Sequence, residues 1–400
     1  MVRQLQGSTL HSSRQIQRPV PPHFGFAIVK AYYFCFFFAI GAIAPYFTIY
    51  LQQRGLTGAQ IGLILTVPPL IALVASPIWG AIVDRWQAPR RVMALCASVA
   101  GVVSIFFLGA YSFVAILAVL LVMNFFRSPI PPLLDSASMK LVSEYNASYG
   151  RQRLFGSIGF VFASYGLGWI VTTNNLTPVF WAHAAALAIG CATLSLALPV
   201  RVETMRTTLW EGLRTMISGA VYRSLLIAMF MLGVSAACYI TFLGLQILNL
   251  GGSETQVGLV FAANAVAEIP VMFLGQRWFA KVSYRRTIVM AMLGFSIVWG
   301  LAALATAAWQ VILIAPLTGV CFGLTWMATV GYANSSAPPG FSASAQTLVS
   351  AAHGGLGWAV GAALSGLLWD AGEGRAVFSA AAIIVAIGAF VFWRGTRPRR

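Results

Sequence analysis

The chain has 400 residues, 59% of them hydrophobic and only 8% charged, with a formal net charge of +16, and its mean hydropathy is +0.82. Soluble domains carry about 25% charged residues, so a chain this apolar cannot cover itself for water and its solvent is lipid. A β-barrel is excluded because the apolar runs are continuous rather than alternating, and the basic excess, which in a soluble protein would point to nucleic acid, reads here as loops gathered on one side of a membrane.

Residues 1–23 form a basic tail with Arg3, Arg14 and Arg18. It is expected to be disordered, and is too long and too interrupted by proline for the start of a signal peptide. Helices long enough to cross a bilayer, about 20 apolar residues each, are predicted at 25–51, 59–82, 91–110, 113–138, 154–173, 178–198, 223–248, 255–277, 286–306, 309–333, 343–369 and 376–394. The expected fold is therefore all-α, with twelve transmembrane helices in two six-helix bundles at 24–198 and 223–394. Between them, 199–222 reads as an amphipathic linker on the membrane surface, with Leu209, Leu213 and Met216 at helical spacing beside Arg206 and Arg214. A short basic tail, 395–400, closes the chain. With an even number of crossings, 22 lysines and arginines fall on one side and only Arg54 and Arg375 on the other. The positive-inside rule then places both termini in the cytoplasm. Cys35, Cys96, Cys191, Cys238 and Cys321 lie in apolar runs without paired or metal-like spacing, and no disulfide is expected.

The halves repeat. TGAQIGLI at 57–64 matches SETQVGLV at 253–260, an offset of 196. Gly80, Arg90 and Arg91 match Gly275, Arg285 and Arg286 at offset 195, and Gly156 and Gly159 match Gly354 and Gly357 at offset 198. Parallel six-helix repeats about an axis along the membrane normal are a transporter arrangement.

The segment GAIVDRWQAPRR, Gly80 to Arg91, resembles the major facilitator signature between the second and third helices: Gly80, Asp84, Arg85, then the basic pair Arg90 and Arg91. YLQQRGLTGAQIG at 50–62, PPLLD at 131–135, YGRQRLFGSIGF at 149–160 and the pair Ala345–Gln346 are similar to the phenylpropionate permease group, itself related to lactose permease and nucleoside–proton symporters. The resemblance covers roughly residues 25–394 and implies the major facilitator fold, alternating access and proton symport of a small organic solute. In the second copy Phe279 stands where Asp84 stands in the first. The Gly-Pro motif of drug–proton antiporters is absent, since 156–168 holds no proline.

Charges within the membrane are costly and mark the pathway. Glu268, followed by Pro270, lies near the middle of the eighth helix. Desolvation there penalises its charged form, which suits proton coupling; the alternative is a Glu that only pairs with an arginine to lock two helices. Arg127, with Asn124 one turn earlier, lies near the middle of the fourth helix. Arginine does not discharge by losing its proton, so it must meet a carboxylate: either Glu268, as a static pair, or an anionic substrate that displaces Glu268. Asp135, after Pro129, Pro131 and Pro132, is expected to face Arg151 and Arg153 as a cytoplasmic gate or a fold clamp, and Asp84 with Arg85 to act as a conformational latch. His353, beside Gly354, Gly355 and Gly357, is read as either a proton relay or a packing histidine. His183 is expected to be structural. Tyr33, Phe37, Gln246 and Trp326 are the candidate substrate contacts. At the repeat offsets Arg127 meets Gly323, Glu268 meets Ala72 and His353 meets Phe155, so each of these groups belongs to one half only.

No nucleotide, nucleophile or metal motif is present, so neither an enzyme nor ATP-driven transport is expected, and no cofactor. The expected protein is a monomeric multi-pass carrier of the cell (inner) membrane. Its partners are a small-molecule substrate, the proton and the bilayer, without nucleic acid. An exporter by proton antiport and a non-transporting receptor or assembly factor on the same fold remain as alternatives. The substrate is open among aromatic carboxylates, nucleosides and sugars.

Overall fold

The computed structural model describes residues 22–172, 174–199, 219–279, 281–337 and 341–397. The expectations for residues 1–21, for the linker at 200–218 and for 398–400 lie outside the described residues.

The described chain is helical apart from a lone bridge between Thr172 and Asn175. We number the crossings α1–α12. α1 is Pro22–Ile43 continued by Phe47–Gln53, α2 is Gly58–Trp86 and α3 is Pro89–Ile105 with a final 3-10 turn, Phe106–Gly109. α4 is Phe113–Arg127 with Ile130–Glu144, and α5 is Tyr149–Gly168. α6 runs through Thr177–Ala185, a π-helical stretch Ala186–Cys191 and Ala192–Ala197. α7 is Ala220–Asn249, α8 Glu254–Phe279, α9 Tyr284–Ala303 and α10 Ala308–Ser336. Ser342–Ser350, a π-helical stretch Ala351–Gly357, and Trp358–Gly395 follow without a loop. Ser344–Gly395 spans 52 residues, about 78 Å of helix and far too long for one crossing. Its backbone leaves the helix at Gly372 and Glu373, where φ at Glu373 is 50°. We name the parts α11 (342–371) and α12 (374–395). Among the described residues ten helices are long and apolar enough to cross a membrane; dividing the tenth and adding the less apolar α5 fits the twelve crossings expected.

Proline explains where the helices depart from the predicted continuous runs. α1 breaks at 44–46, around Pro45, and α4 breaks at Ser128–Pro129, because proline lacks the donor that the ladder needs.

The repeated residues carry repeated interactions. Thr57 caps α2: its hydroxyl accepts from the Gln60 amide (3.3 Å) while the Gln60 side chain accepts from the Thr57 amide (3.1 Å). Ser253 and Gln256 make the same reciprocal pair at the start of α8 (3.3 and 2.9 Å), so the matched octapeptides are two capping boxes. Arg90 donates to the carbonyl of Leu198 at the end of α6 (2.6 Å). Arg285 donates to the carbonyl of Trp393 near the end of α12 (2.8 Å). These bonds are 195 residues apart at both ends, and each sets a cation on a helix C-terminus. A methyl group added to Gly159 would collide with the Phe34 carbonyl of α1, and one added to Gly357 with the Phe230 carbonyl of α7. Without a hydrophobic drive between helices in lipid, such close backbone approaches carry the packing.

The halves meet on two seams, α2 with α11 and α5 with α8, and where α1 crosses α7. One end of the seams is closed. Asp370 of α11 accepts from the amides of Gly58 (2.7 Å) and Ala59 (2.8 Å) at the start of α2. Thr66 donates to the Ala359 carbonyl (3.1 Å), Thr255 to the Gly168 carbonyl (2.7 Å) and Thr48 to the Thr241 carbonyl (2.7 Å). Gly62 rests against the Ala362 carbonyl and Gly258 against that of Ser164. At the opposite end Asp84, Arg85, Trp86 and Arg151 are exposed.

Candidate substrate and coupling site

The break in α4 leaves Arg127 as the last residue of its first segment. Its guanidinium donates to the Asn124 side-chain oxygen (2.7 Å), and the Asn124 amide donates to the Leu120 carbonyl (2.9 Å). The indole of Trp79 in α2 ties down the same stretch by donating to the Phe125 carbonyl (2.9 Å). Arg127 and Asn124 line a cavity of about 280 Å³ on the α2/α11 seam, with Phe36 and Ile40 of α1, Ala72 of α2 and Trp358 of α11. Such a volume lies at the small end of ligand pockets, which run from about 300 to 1,000 Å³.

Glu268 is elsewhere. It lies on α8 at the other seam, packed against Gly323 of α10, and the charge acting on it is that of Arg153 in α5. Of the two partners considered for Arg127, Glu268 does not meet it in this structure: α4 flanks α2 whereas α8 packs on α5, and the two charges belong to different seams. Among the described residues Arg127 makes no ion pair. The placement keeps the internal symmetry. Ala72, the repeat mate of Glu268, faces the Arg127 cavity, while Gly323, the mate of Arg127, is the surface on which Glu268 lies. In each half the same helix pair, α2/α4 or α8/α10, carries one charge opposite one small residue.

Arg153 lies over the ring of Phe37 (3.8 Å) and near that of Tyr33 (6.0 Å), beside Gly156. Asp135 is held by neither Arg151 nor Arg153. It accepts from the hydroxyls of Tyr33 and of Tyr149 (3.0 Å), while Arg151 points to solvent. This corrects the expected ion pair. The reason is helical phase: Tyr149 and Arg153, one turn apart on α5, share the face that packs on α1, and Arg151 does not. Tyr33 and Phe37 accordingly serve Asp135 and Arg153, and it is the neighbouring face of α1, with Phe36 and Ile40, that lines the Arg127 cavity.

His353 sits in the π-helical turn of α11, buried, with its ring 6.0 Å from that of Trp326 in an edge-on contact. Its neighbour Gly354 lines the Arg127 cavity. Gln246 does not approach this region. It lies near the end of α7 against Gly374, just past the α11/α12 break, so its choice as a substrate contact is corrected: it fills the corner made by that break. The Asp84 and Arg85 side chains have no partner among the described residues in this arrangement. Sequence reasoning missed Asp370, Phe36 and Trp358. His183, expected to be structural, lies close by. That imidazole is fully buried, its Nδ1 is 2.8 Å from the Ala39 carbonyl, its Nε2 has no partner, and it lies within electrostatic reach of Arg127.

The model of the MFS_1 like family matches residues 26–380. The maltose permease of Geobacillus stearothermophilus is 30% identical over 369 residues, covering 91% of this chain and 93% of the permease. The probable 3-phenylpropionic acid transporter of Escherichia coli (strain K12) is 25% identical over 311 residues, covering 75% of this chain and 80% of that protein. The crystal structure of the nucleoside transporter NupG superposes with a TM-score of 0.82 at 16% identity, covering 94% of this chain and 99% of that one; at that identity the likeness concerns the fold. The family match over residues 26–380 and the permease 30% identical along nine-tenths of its length agree with the helical membrane fold, and the chain belongs to the MFS_1 like family: it is a multi-pass membrane transporter of the major facilitator type.

Proposed function

We propose that the chain is a proton-coupled symporter of a small organic anion in the cytoplasmic membrane, working as a monomer by alternating access of the bundles 24–198 and 223–394, without enzymatic chemistry. The observation that carries this is Arg127, a half-buried cation whose one side-chain partner among the described residues is the neutral Asn124, facing a cavity between the halves. A buried cation without a counter-charge is costly, and a solute carboxylate supplies that charge. Phe36 and Trp358 give the cavity an aromatic wall. Asn124 then positions Arg127, and Trp326 supports the cavity from behind through His353.

Glu268 is the proton carrier in this reading and Arg153 its counter-charge. When Glu268 takes a proton, Arg153 is released toward the Tyr149–Asp135 pair, and the α5/α8 seam loses its charge attraction. α1 joins the events, since Phe36 and Ile40 touch the substrate cavity while Tyr33 and Phe37 touch Asp135 and Arg153. The basic end is cytoplasmic by the positive-inside rule. The closed end therefore faces outward, and the exposed Asp84, Arg85 and Arg151 form a latch that engages only when the carrier turns the other way. His353 is a packing group of the π-helical turn.

Similarity to the maltose permease favours a second reading, in which Arg127, Asn124 and Trp358 hold sugar hydroxyls. Uptake into proteoliposomes under an inward proton gradient separates the two. The anion reading expects 3-phenylpropionate to accumulate and its neutral amide not to. Equal uptake of both, or accumulation of maltose alone, overturns it.

A further inference from the structure

The loop joining α2 to α3 carries two adjacent arginines with different fates. Arg90 is committed to the Leu198 carbonyl. Arg91 is exposed and makes no hydrogen bond or ion pair to the protein among the described residues. It stands at the mouth of a hollow of about 410 Å³ on the outer face of the bundle, lined by Trp86, Ala88, Arg91, Val92 and Leu95. Below the arginine the wall is apolar. Leu95, Val102 and Phe106 are all exposed on α3, at spacings that keep them on one face with Arg91. A second apolar hollow of about 350 Å³, lined by Val102, Ile105, Phe106 and Gly109, lies further along the same helix. From Arg91 to Val102 the track is about 16 Å, half the hydrocarbon thickness of about 30 Å, which is the reach of an acyl chain within one leaflet. Trp86 is exposed at the depth where indoles settle between headgroups and hydrocarbon.

We propose that this groove is a specific site for an anionic phospholipid, with the phosphate on Arg91, the headgroup beside Trp86 and one acyl chain laid along Leu95 toward Val102. Charge decides between lipid classes. Arg91 is the charged residue of the lining, and exposed Asp84 and Arg85 precede Trp86 in the chain; the set is net positive and favours a phosphodiester without a compensating amine. A zwitterionic headgroup would bring its own ammonium against the free arginine. Arg91 is thereby given the partner that the protein withholds, and the α2–α3 corner is anchored at headgroup depth.

The test is native mass spectrometry of the full-length protein in detergent, titrated with phosphatidylglycerol or with phosphatidylethanolamine of the same acyl chains. Phosphatidylglycerol should bind more tightly. Arg91→Gln should weaken it about fivefold, the value of one interfacial arginine, and weaken phosphatidylethanolamine less, so that the preference between the two lipids narrows. Leu95→Trp, which fills the track, should weaken both. Arg151→Gln, removing another exposed arginine at the same end, should change neither. Equal affinities for the two lipids, the same loss in Arg151→Gln as in Arg91→Gln, or displacement of the lipid by inorganic phosphate would each overturn the proposal. The first two would mean diffuse adsorption to a basic surface, the third a plain anion site.

Discussion

At the scale of single residues, the two mid-membrane charges are separated by where their helices pack, and the proposed division of roles between them is testable. Glu268→Gln removes the titrating proton but keeps the shape and the contact with Gly323. Accumulation driven by a proton gradient should vanish while counterflow exchange of labelled solute persists; proteoliposome assays of the two modes check this. Arg153 provides a sharper test of the partner assignment. If Arg153 is the counter-charge of Glu268, then Arg153→Gln should slow transport at least tenfold in the native protein and by much less in the Glu268→Gln background, since the effects of coupled charges do not add. Arg127→Gln should instead cut transport equally in both backgrounds, because Arg127 belongs to the other seam. The existence of these charges was legible in the sequence, as ionisable residues interrupting apolar runs. Their partners were not. Whether Glu268 meets Arg127 or Arg153 depends on α8 packing against α5, and nothing local to either residue encodes that. Asp135 shows the same limit on a smaller scale: two arginines close in sequence were the obvious partners, yet two tyrosine hydroxyls on helices of suitable phase hold it.

At the scale of helices, one carboxylate caps the closed end of the α2/α11 seam. Asp370 accepts from two of the unpaired amides at the start of α2, and a negative charge at a helix N-terminus contributes about 1 kcal/mol. Asp370→Asn should therefore shift the balance between the carrier's two arrangements about fivefold toward the one open at this end. Spin labels at Ile170 and Leu304, both exposed at that end, would read the change as a larger long-distance population; an unaltered distance distribution would contradict the role. This contact spans 312 residues, so no capping rule applied along the chain could find it. The caps within α2 and α8 were visible as the repeated octapeptide, because a capping box is a four-residue pattern. The reading of those residues as a family mark thus gains a mechanical content: they fix where each helix starts.

At the scale of the whole molecule, the repeat was legible, and the structure shows what the repetition conserves. Arg90 and Arg285 each fasten the last helix of a half to the start of that half's third helix. Arg90→Gln and Arg285→Gln should each lower thermal stability by about 1.5–3 kcal/mol, the range for a hydrogen bond to a charged group, and the double variant should lose about the sum, since the sites are far apart. Melting curves in detergent with a thiol-reactive dye, which reports on the buried free cysteines, would show it. What the repeat does not conserve is the chemistry. Arg127 and Glu268 sit on equivalent helix pairs and face each other's small counterparts, which lets one scaffold present a cation on one seam and a carboxylate on the other.

The two copies also differ where their last pair of helices turns back. The offset between halves is 198 at Gly159 and Gly357 but 195 at Leu198 and Trp393, so the second copy is three residues shorter there. α5 ends at Gly168 and α6 begins at Thr177, whereas α11 runs into α12 through Gly372 and Glu373 alone, with Glu373 at φ 50°. For anyone wishing to enlarge this small protein with a rigid fusion or an epitope for imaging, the first turn offers slack to take an inserted domain. The second has none, and splitting it would unlatch Asp370 from α2 two residues away.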